Sequence, residues 1–158
     1  TFGTFYTPGN HEVYNSEPEK FYPVVRGLAL TLIDDKYIVN NTQIVGLSFK
    51  GNESKESILE RFNKTGYDKN IPSIVILHEP KNSEVLQNAG ASLVVSGHTH
   101  CGQFFPVNLI VRSIYKKYSY GLNKVGDSFA VTTCGVGTAM TPMRILANPE
   151  IVVIKIVE

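Results

Sequence analysis

Short runs of β-branched and aromatic residues, separated by turn-forming residues, make up most of the hydrophobic pattern of this chain. Runs of this kind predict strands. They cover residues 4–7, 28–33, 36–39, 43–49, 73–77, 92–96, 128–133 and 151–157. Between the third and fourth runs, Asn40 and Asn41 predict a hairpin turn, because asparagine tolerates a positive φ angle.

Apolar residues that recur at intervals of three and four predict helices between these runs. The clearest helix covers residues 54–64, where Ser54 is placed to cap the N-terminus and Gly66 to end the helix. Residues 83–88 form a second predicted helix, and residues 17–26 a third, which two prolines make irregular. Strands alternate with helices in the middle of the chain and form hairpins elsewhere, so the pattern predicts a mixed α/β (α+β) fold.

Length and charge restrict the class of protein. The chain has 158 residues and a mass of 17.5 kDa, so we expect residues 1–158 to form a single domain. With 15 Lys and Arg against 14 Asp and Glu, the formal charge is +1, which argues against nucleic acid as a partner. No apolar run approaches the ~18 residues that span a bilayer.

The N-terminal sequence shows no signal peptide, and the first residue is Thr1. We therefore interpret the chain as an N-terminally truncated part of a longer protein. Its expected localisation is cytoplasmic, or at a membrane through a segment upstream of Thr1.

Cys101 and Cys134 are the two cysteines of the chain. The sequence leaves open whether they form a disulfide with each other, but two cysteines in a chain of this size do not make a disulfide scaffold. We predict that both are reduced in a reducing compartment and that Cys134 is a small core residue. Cys101 is interpreted as a tolerated small residue, with a soft metal ligand or an oxidation site as the alternatives.

All four histidines follow the carboxyl end of a predicted strand: His11, His78, His98 and His100. Ligands of α/β sheets bind at this edge. In an H-x-H pair both imidazoles can point to one side, and a divalent cation is their natural partner. Asn10 adds a neutral amide oxygen beside His11. Each motif taken alone also fits a histidine bonded to backbone or solvent, so the prediction of a metal site depends on their combination.

Three blocks of residues, in this order, resemble the calcineurin-like metallophosphoesterases. They are Gly9-Asn10-His11-Glu12, then His78-Glu79-Pro80, then Gly97-His98-Thr99-His100-Cys101-Gly102-Gln103. The last block is similar to the G-H-T-H-G-G-Q block of a bacterial branch, with Cys101 where glycine is usual. The resemblance implies two mixed sheets packed face to face with helices outside, and this chain would supply the second half of that β-sandwich.

The resemblance also implies a role for each site residue. Asn10, His78 and His98 would bind one divalent metal and His100 a second, with manganese, iron, zinc or cobalt as the candidates. His11 would lie over the scissile phosphate, where it would stabilise charge or protonate the leaving oxygen. The implied activity is metal-dependent phosphoester hydrolysis, by a phosphodiesterase or a phosphomonoesterase in which a metal-activated hydroxide attacks phosphorus.

Two further blocks of that family, D-x-H and G-D-x-x-D, do not occur in this sequence. We expect them to precede Thr1, and we expect this chain alone to bind at most one metal weakly and to be inactive. The alternative is a non-catalytic metal-binding or protein-interaction module on the same fold.

The expected substrate is a phosphorylated small molecule or a lipid-like phosphoester, and self-association through an exposed sheet edge is a second expected interaction. Residues 104–124 carry basic and aromatic side chains. We interpret them as a solvated segment, with a rim loop that meets a lipid-like or membrane-bound substrate as the alternative. Arg144 is expected to contact a phosphate, or else to form a structural salt bridge or a backbone contact.

Overall fold

A six-stranded mixed sheet forms the centre of the structure, a computed structural model that describes residues 2–14 and 18–156. Its strands are β3 (Lys36–Val39), β4 (Thr42–Leu47), β5 (Ser73–Leu77), β6 (Leu93–Ser96), β7 (Gly121–Val125) and β8 (Ser128–Thr132), in the spatial order β3-β4-β5-β6-β8-β7. Strands β4, β5, β6 and β8 are parallel, whereas β3 and β7 pair antiparallel at the two edges. The prediction of a mixed α/β fold is confirmed.

A second, two-stranded parallel sheet consists of β1 (Phe5–Tyr6) and β2 (Thr31–Leu32). It lies against β4, where Gly46 permits the close approach: a Cβ atom there would be 2.4 Å from the carbonyl oxygen of Ile33. The backbone N–H of Phe49 donates to the Pro8 carbonyl at 3.0 Å, which ties the loop after β1 to the end of β4.

Five helices connect the strands of the described part: α1 (Asn10–Tyr14), α2 (Pro18–Gly27), α3 (Lys55–Lys64), α4 (Ser83–Asn88) and α5 (Val107–Tyr115). Short 3₁₀ turns cover Pro80–Asn82, His100–Gly102 and Lys116–Ser119. As predicted, Ser54 caps α3, because its hydroxyl accepts the Ser57 N–H at 3.2 Å. None of these helices is long and apolar enough to cross a membrane.

The hydrophobic core lies between α3, α4 and one face of the six-stranded sheet. Residues that alternate along the strands supply the sheet side, as the period of two requires. They are Val45, Leu47, Val75, Leu77, Val94 and Ala130, packed with Ile58, Phe62 and Leu86 from the helices. This packing fixes the strand ends and therefore the residues that follow them.

Several element predictions are wrong. Residues 151–156 form no strand, because their apolar alternation finds no pairing partner, and residue 157 lies outside the described residues. Strand β7 and helices α1 and α5 were not predicted. Gly121, Asn123 and Lys124 give β7 a low strand propensity, and its pairing with β8 supplies the stabilisation instead. Residue 17 of the predicted 17–26 helix also lies outside the described residues.

Candidate metal centre

The parallel pairing of β5 and β6 brings His78 and His98 to the same edge of the sheet. Ile76 is paired with Val95, so the residues that follow each strand emerge side by side. Asn10 is the first residue of α1 and reaches this edge from the loop held by Phe49. Strand order thus assembles three side chains that are far apart in the sequence.

The donor atoms of these three residues form a triangle. Asn10 Oδ1 lies 2.7 Å from His78 Nε2 and 3.3 Å from His98 Nδ1, and the two nitrogens are 3.0 Å apart. Donor atoms bound to one divalent cation at about 2.1 Å are themselves about 3 Å from each other. The spacing of the triangle therefore fits the coordination shell of a single metal ion, with two nitrogen donors and one oxygen donor.

Both imidazoles of the triangle are held in the neutral form. Burial lowers the pKa of His78 to about 4, with the charge of His98 as the second cause. Burial is also the main cause of the lowered pKa of His98. Phe49 and Tyr115 border the two rings, with centroids 5.8–6.1 Å away. Neutral imidazole is the form that binds a metal, so the environment prepares these ligands for binding near neutral pH.

Gly9 leaves the space that the His78 imidazole occupies. A Cβ atom at residue 9 would lie 2.5 Å from His78 Cε1 and 2.6 Å from its Nδ1. Real Cβ atoms do not approach other atoms so closely, so any side chain here would displace the ring. The presence of glycine at the start of the Gly9-Asn10-His11 block is therefore explained by the space that the His78 ring needs.

Gly9→Ala is expected to weaken the binding of a divalent cation by about tenfold or more, because the His78 ring must leave the triangle. Isothermal titration with Mn²⁺ or Co²⁺ measures this affinity. Gly97→Ala is the matched control, since a Cβ atom at Gly97 would meet no atom within 4 Å. Equal affinities of the Gly9→Ala and Gly97→Ala variants would contradict the steric role of Gly9.

His100 lies beside Gly137 and Arg144 and is not one of the three residues of the triangle. Its Nδ1–H donates to the Gly137 carbonyl at 3.2 Å, which leaves Nε2 as the free lone-pair nitrogen. Burial and the neighbouring Arg144 lower the pKa of His100, and its bond to Gly137 acts in the opposite direction. The imidazole is thus oriented by the backbone, as metal-binding histidines usually are.

Arg144 contacts backbone carbonyls, which is one of the roles expected for it. Its guanidinium donates to the carbonyl of Cys134 at 2.9 Å, to that of Ala147 at 3.2 Å and to that of Gly137. Because Gly137 also accepts from His100, Arg144 fixes the carbonyl that orients this imidazole.

His11 is exposed in the first turn of α1, directly after Asn10. An acid that protonates a bound substrate needs this accessibility. The neighbouring Glu12 accepts the Gly9 N–H at 2.7 Å, so its carboxylate is engaged within the loop. In the same way, Glu79 accepts the hydroxyl of Tyr115 at 2.9 Å.

The prediction that both cysteines are reduced is wrong, because Cys101 and Cys134 form a disulfide with their Cα atoms 5.0 Å apart. They are 33 residues apart in the sequence, but β6 pairs with β8, and Ser96 lies opposite Thr132. The segments after these strands therefore meet at one edge. In the disulfide neither sulfur is a thiolate, so the alternative of Cys101 as a soft metal ligand does not apply.

Residues 133–150 run beside the block of residues 97–103 and form hydrogen bonds with it. The sequence did not predict this support. Gln103, the last residue of the block, donates through its amide to the Ala139 carbonyl at 3.0 Å. Glu150 closes the other end by accepting from Thr133 Oγ1 at 2.8 Å, Cys134 N at 2.9 Å and Tyr120 Oη at 3.0 Å. A glutamine at the end of a motif is the sequence signal that could have indicated such a bond.

Glu150→Gln is expected to lower the free energy of unfolding by about 1 kcal/mol at pH 7, because a partly exposed carboxylate with three donors becomes a neutral amide. The Cys134 N–H is the first cause that lowers the pKa of Glu150 from 4.5. Since the folded pKa is depressed, this stability is present above pH 4.5 and is lost as the pH falls through the folded value.

Urea unfolding at pH 7 and at pH 3 measures the predicted effect of Glu150→Gln. The difference in the free energy of unfolding between wild type and variant is expected to be smaller at pH 3 than at pH 7. Glu84→Gln removes an exposed ion pair to Lys117 and serves as the control, with little change expected. A destabilisation by Glu150→Gln that increased at lower pH would contradict the stabilising role of the ionised Glu150 carboxylate.

No group of three His, Cys, Asp or Glu side chains that could hold a metal ion occurs in residues 2–14 and 18–156. The triangle is not such a group, since its third donor is the Asn10 amide. The site in this part of the chain therefore consists of two imidazoles and an amide, with His100 as a further oriented imidazole.

Comparison with known proteins identifies the family. The sequence profile of the calcineurin-like phosphoesterases matches residues 2–102, well over half of the chain. An uncharacterized metallophosphoesterase of Helicobacter pylori strain J99 is 30% identical over 161 residues, covering 99% of this chain and 43% of that protein. Phosphodiesterase YaeI of Escherichia coli is 33% identical over 97 residues, or 56% of this chain and 33% of that protein.

A transmembrane protein with metallophosphoesterase domain from Danio rerio is 26% identical over 164 residues, covering 94% of this chain and 37% of that protein. The chain thus spans less than half the length of each of these relatives. No solved structure matches the chain. Because the family profile matches more than half of the chain and the Helicobacter pylori relative aligns with nearly all of it, the chain belongs to the calcineurin-like phosphoesterase family.

Proposed function

We propose that this chain forms the ligand-bearing second half of a metal-dependent phosphoester hydrolase. The observation that carries the proposal is the triangle of Asn10, His78 and His98 at the strand ends, whose 2.7–3.3 Å edges fit one divalent cation. Family membership supports metal-dependent phosphoesterase chemistry. Two divalent ions, when bound, would supply Lewis-acid activation of water and neutralise charge on the phosphoryl group.

Each residue of the site has a role in this proposal. Asn10, His78 and His98 hold one cation, and His100 holds the second through Nε2, the nitrogen that its bond to Gly137 leaves free. His11, exposed beside Asn10, donates a proton to the oxygen of the leaving group. Because the remaining carboxylate ligands are absent from this sequence, we expect the chain alone to bind one cation weakly and to turn over little or no substrate.

The proposed substrate class is a phosphodiester on a small molecule or a lipid-like molecule. The name of the Escherichia coli relative, a phosphodiesterase, supports the diester. Mixed nitrogen and oxygen ligands suit Mn²⁺, Fe²⁺, Zn²⁺ or Co²⁺, and Mn²⁺ is the first cation to test.

The proposed compartment is an oxidising one outside the cytoplasm. Disulfides persist in such compartments and are rare where glutathione keeps thiols reduced. The Cys101–Cys134 disulfide supports this over the reducing compartment expected from the sequence.

Hydrolysis of bis-p-nitrophenyl phosphate, with and without Mn²⁺, tests the proposal. It is measured for this chain and for the longest natural protein that contains it, with His98→Ala in each as the control. We expect Mn²⁺-dependent hydrolysis by the longer protein that the substitution removes. Hydrolysis by this chain alone would mean that its site is completed without further carboxylates, and no hydrolysis by either protein would overturn the proposal.

A non-catalytic metal-binding or protein-interaction module is the second candidate. The finding that favours it is that residues 2–14 and 18–156 hold no group of three His, Cys, Asp or Glu able to bind a metal. A metal-binding module would also bind a cation at the triangle, so the hydrolysis assay is what separates it from the hydrolase, whereas a protein-interaction module would not require a cation there. Self-association through the free edges of β3 or β7 stays a prediction, which sedimentation velocity can test.

A further inference from the structure

The outward face of α5 is apolar. Leu109, Ile110 and Ile114 are 52%, 54% and 58% exposed, whereas Val111 and Tyr115 on the inner side are partly buried. Just before the helix, Phe105 is 70% exposed. A surface helix of a globular protein normally turns its polar residues outward. A clustered apolar surface of this kind marks an interaction site.

Basic residues outnumber acidic ones around this apolar face, where Glu84 and Glu150 are the acidic residues that line the adjoining cavities. Residues 101–126 contain no Asp or Glu but carry Arg112, Lys116, Lys117 and Lys124. Arg112 and Lys116 are exposed on and directly after the helix. Lys117 is paired with Glu84 at 3.1 Å, and Lys55 and Lys81 line the same cleft as Ile114. The charge around the face is therefore net positive, with Arg112 and Lys116 among its exposed basic residues, in a chain whose formal charge is only +1.

The inner side of α5 borders the candidate metal centre. Tyr115, the last residue of α5, has its ring centroid 6.1 Å from that of His98, and its hydroxyl donates to Glu79, which follows His78. Gly102 permits this packing, because a Cβ atom there would lie 2.4 Å from the Cα of Asn108. A surface bound to the outward face of α5 would consequently be separated from the candidate metal centre by this one helix.

We propose that α5 and its flanking residues bind the surface of an anionic lipid bilayer. Phe105, Leu109, Ile110 and Ile114 would enter the boundary between headgroups and acyl chains, and Arg112 and Lys116 would bind lipid phosphates. An amphipathic helix with basic flanks binds anionic membranes through this combination of apolar burial and electrostatic attraction. The inference goes beyond the proposed hydrolysis and does not require a bound metal.

Charge complementarity favours a bilayer over a second copy of the chain. In a twofold-symmetric dimer through this face, the same patch of both copies would meet. The basic residues around each face would then oppose one another, and like charges brought together in this way destabilise an interface. An anionic surface instead attracts the exposed Arg112 and Lys116.

Flotation with lipid vesicles tests the proposal, in EDTA so that metal-dependent chemistry plays no part. The chain is mixed with vesicles of phosphatidylcholine alone or with 30% phosphatidylglycerol (about one anionic lipid in three). We expect binding to the anionic vesicles, little binding to the neutral ones, and weaker binding as salt is raised, because salt screens the attraction.

Two sets of variants separate the apolar and the electrostatic contributions. Leu109→Ser, Ile110→Ser and Ile114→Ser together are expected to weaken vesicle binding by roughly tenfold or more, since each buried methylene contributes. Leu28→Ser, Ile38→Ser and Leu122→Ser remove equally exposed apolar residues elsewhere and form the matched control. Arg112→Gln with Lys116→Gln is expected to cost about fivefold for each charge, whereas Lys64→Gln with Lys69→Gln is the charge control.

Three results would overturn the proposal. They are equal binding to neutral and anionic vesicles, an equal loss of binding in the control variants, and no loss in the α5 variants. Sedimentation velocity on the same proteins adds a fourth: a wild-type dimer that the triple serine variant converts to a monomer would make α5 a self-association face. Circular dichroism confirms that each variant is folded. Failure of the membrane-binding proposal would not affect the hydrolysis proposal, because that proposal rests on the triangle.

Discussion

Replacement of His98 or His78 by alanine is expected to lower the affinity of the chain for Mn²⁺ or Co²⁺ by on the order of a hundredfold or more. Each substitution removes one of three donors whose mutual distances are 2.7–3.3 Å. Changing only the residues that orient a ligand already costs about 10- to 100-fold, so losing a ligand itself should cost at least as much.

Isothermal titration gives the affinity, and the visible absorption of bound Co²⁺ reports the coordination directly, without any assay of hydrolysis. His11→Ala is the control, because His11 is exposed beside the triangle and is assigned a proton-donating role rather than a ligand role. Unchanged Co²⁺ spectra in both His78→Ala and His98→Ala would show that the triangle is not the binding site.

Replacing both Cys101 and Cys134 by serine is expected to lower the free energy of unfolding by about 3–4 kcal/mol. The disulfide closes a loop with a sequence separation of 33, and the entropy of such a loop in the unfolded chain gives this magnitude. An effect of that size is a large fraction of the stability of a small domain.

Urea unfolding of the oxidised wild type, the reduced wild type and the double variant measures the contribution of the disulfide. The reduced wild type and the double variant are expected to agree with each other and to unfold at lower urea. A thiol titration of the unfolded, oxidised chain should find no free thiol. Coincident unfolding curves for all three samples would refute the stabilising role.

Local sequence patterns predicted most of the strands, because strand propensity depends on short-range chemistry. The bounds of β3 and β5 agree with the predicted runs, and Ser54 caps α3 as its side-chain chemistry requires. His78 and His98 were expected to meet because parallel strands place their carboxyl ends at one edge. Their roles as metal ligands stay predictions until cation binding is measured.

Features that depend on strand order could not be predicted from local patterns. The disulfide forms because β8 inserts beside β6, and the sequence alone does not indicate which strands are neighbours. Helix α5 was missed because Val107, Ile110 and Val111 are β-branched and typical of strands. Once a helix is known, its sequence reveals an apolar stripe, but only tertiary packing shows that this stripe points outward.

The triangle joins residues whose sequence separations are 68 and 88, so it cannot exist before the parallel strands that carry it have paired. A chain emerging from the ribosome would present Asn10 long before His98 is synthesised. Cation capture at this point would therefore follow folding and not direct it, and a bound ion would withdraw only native molecules from the folding equilibrium.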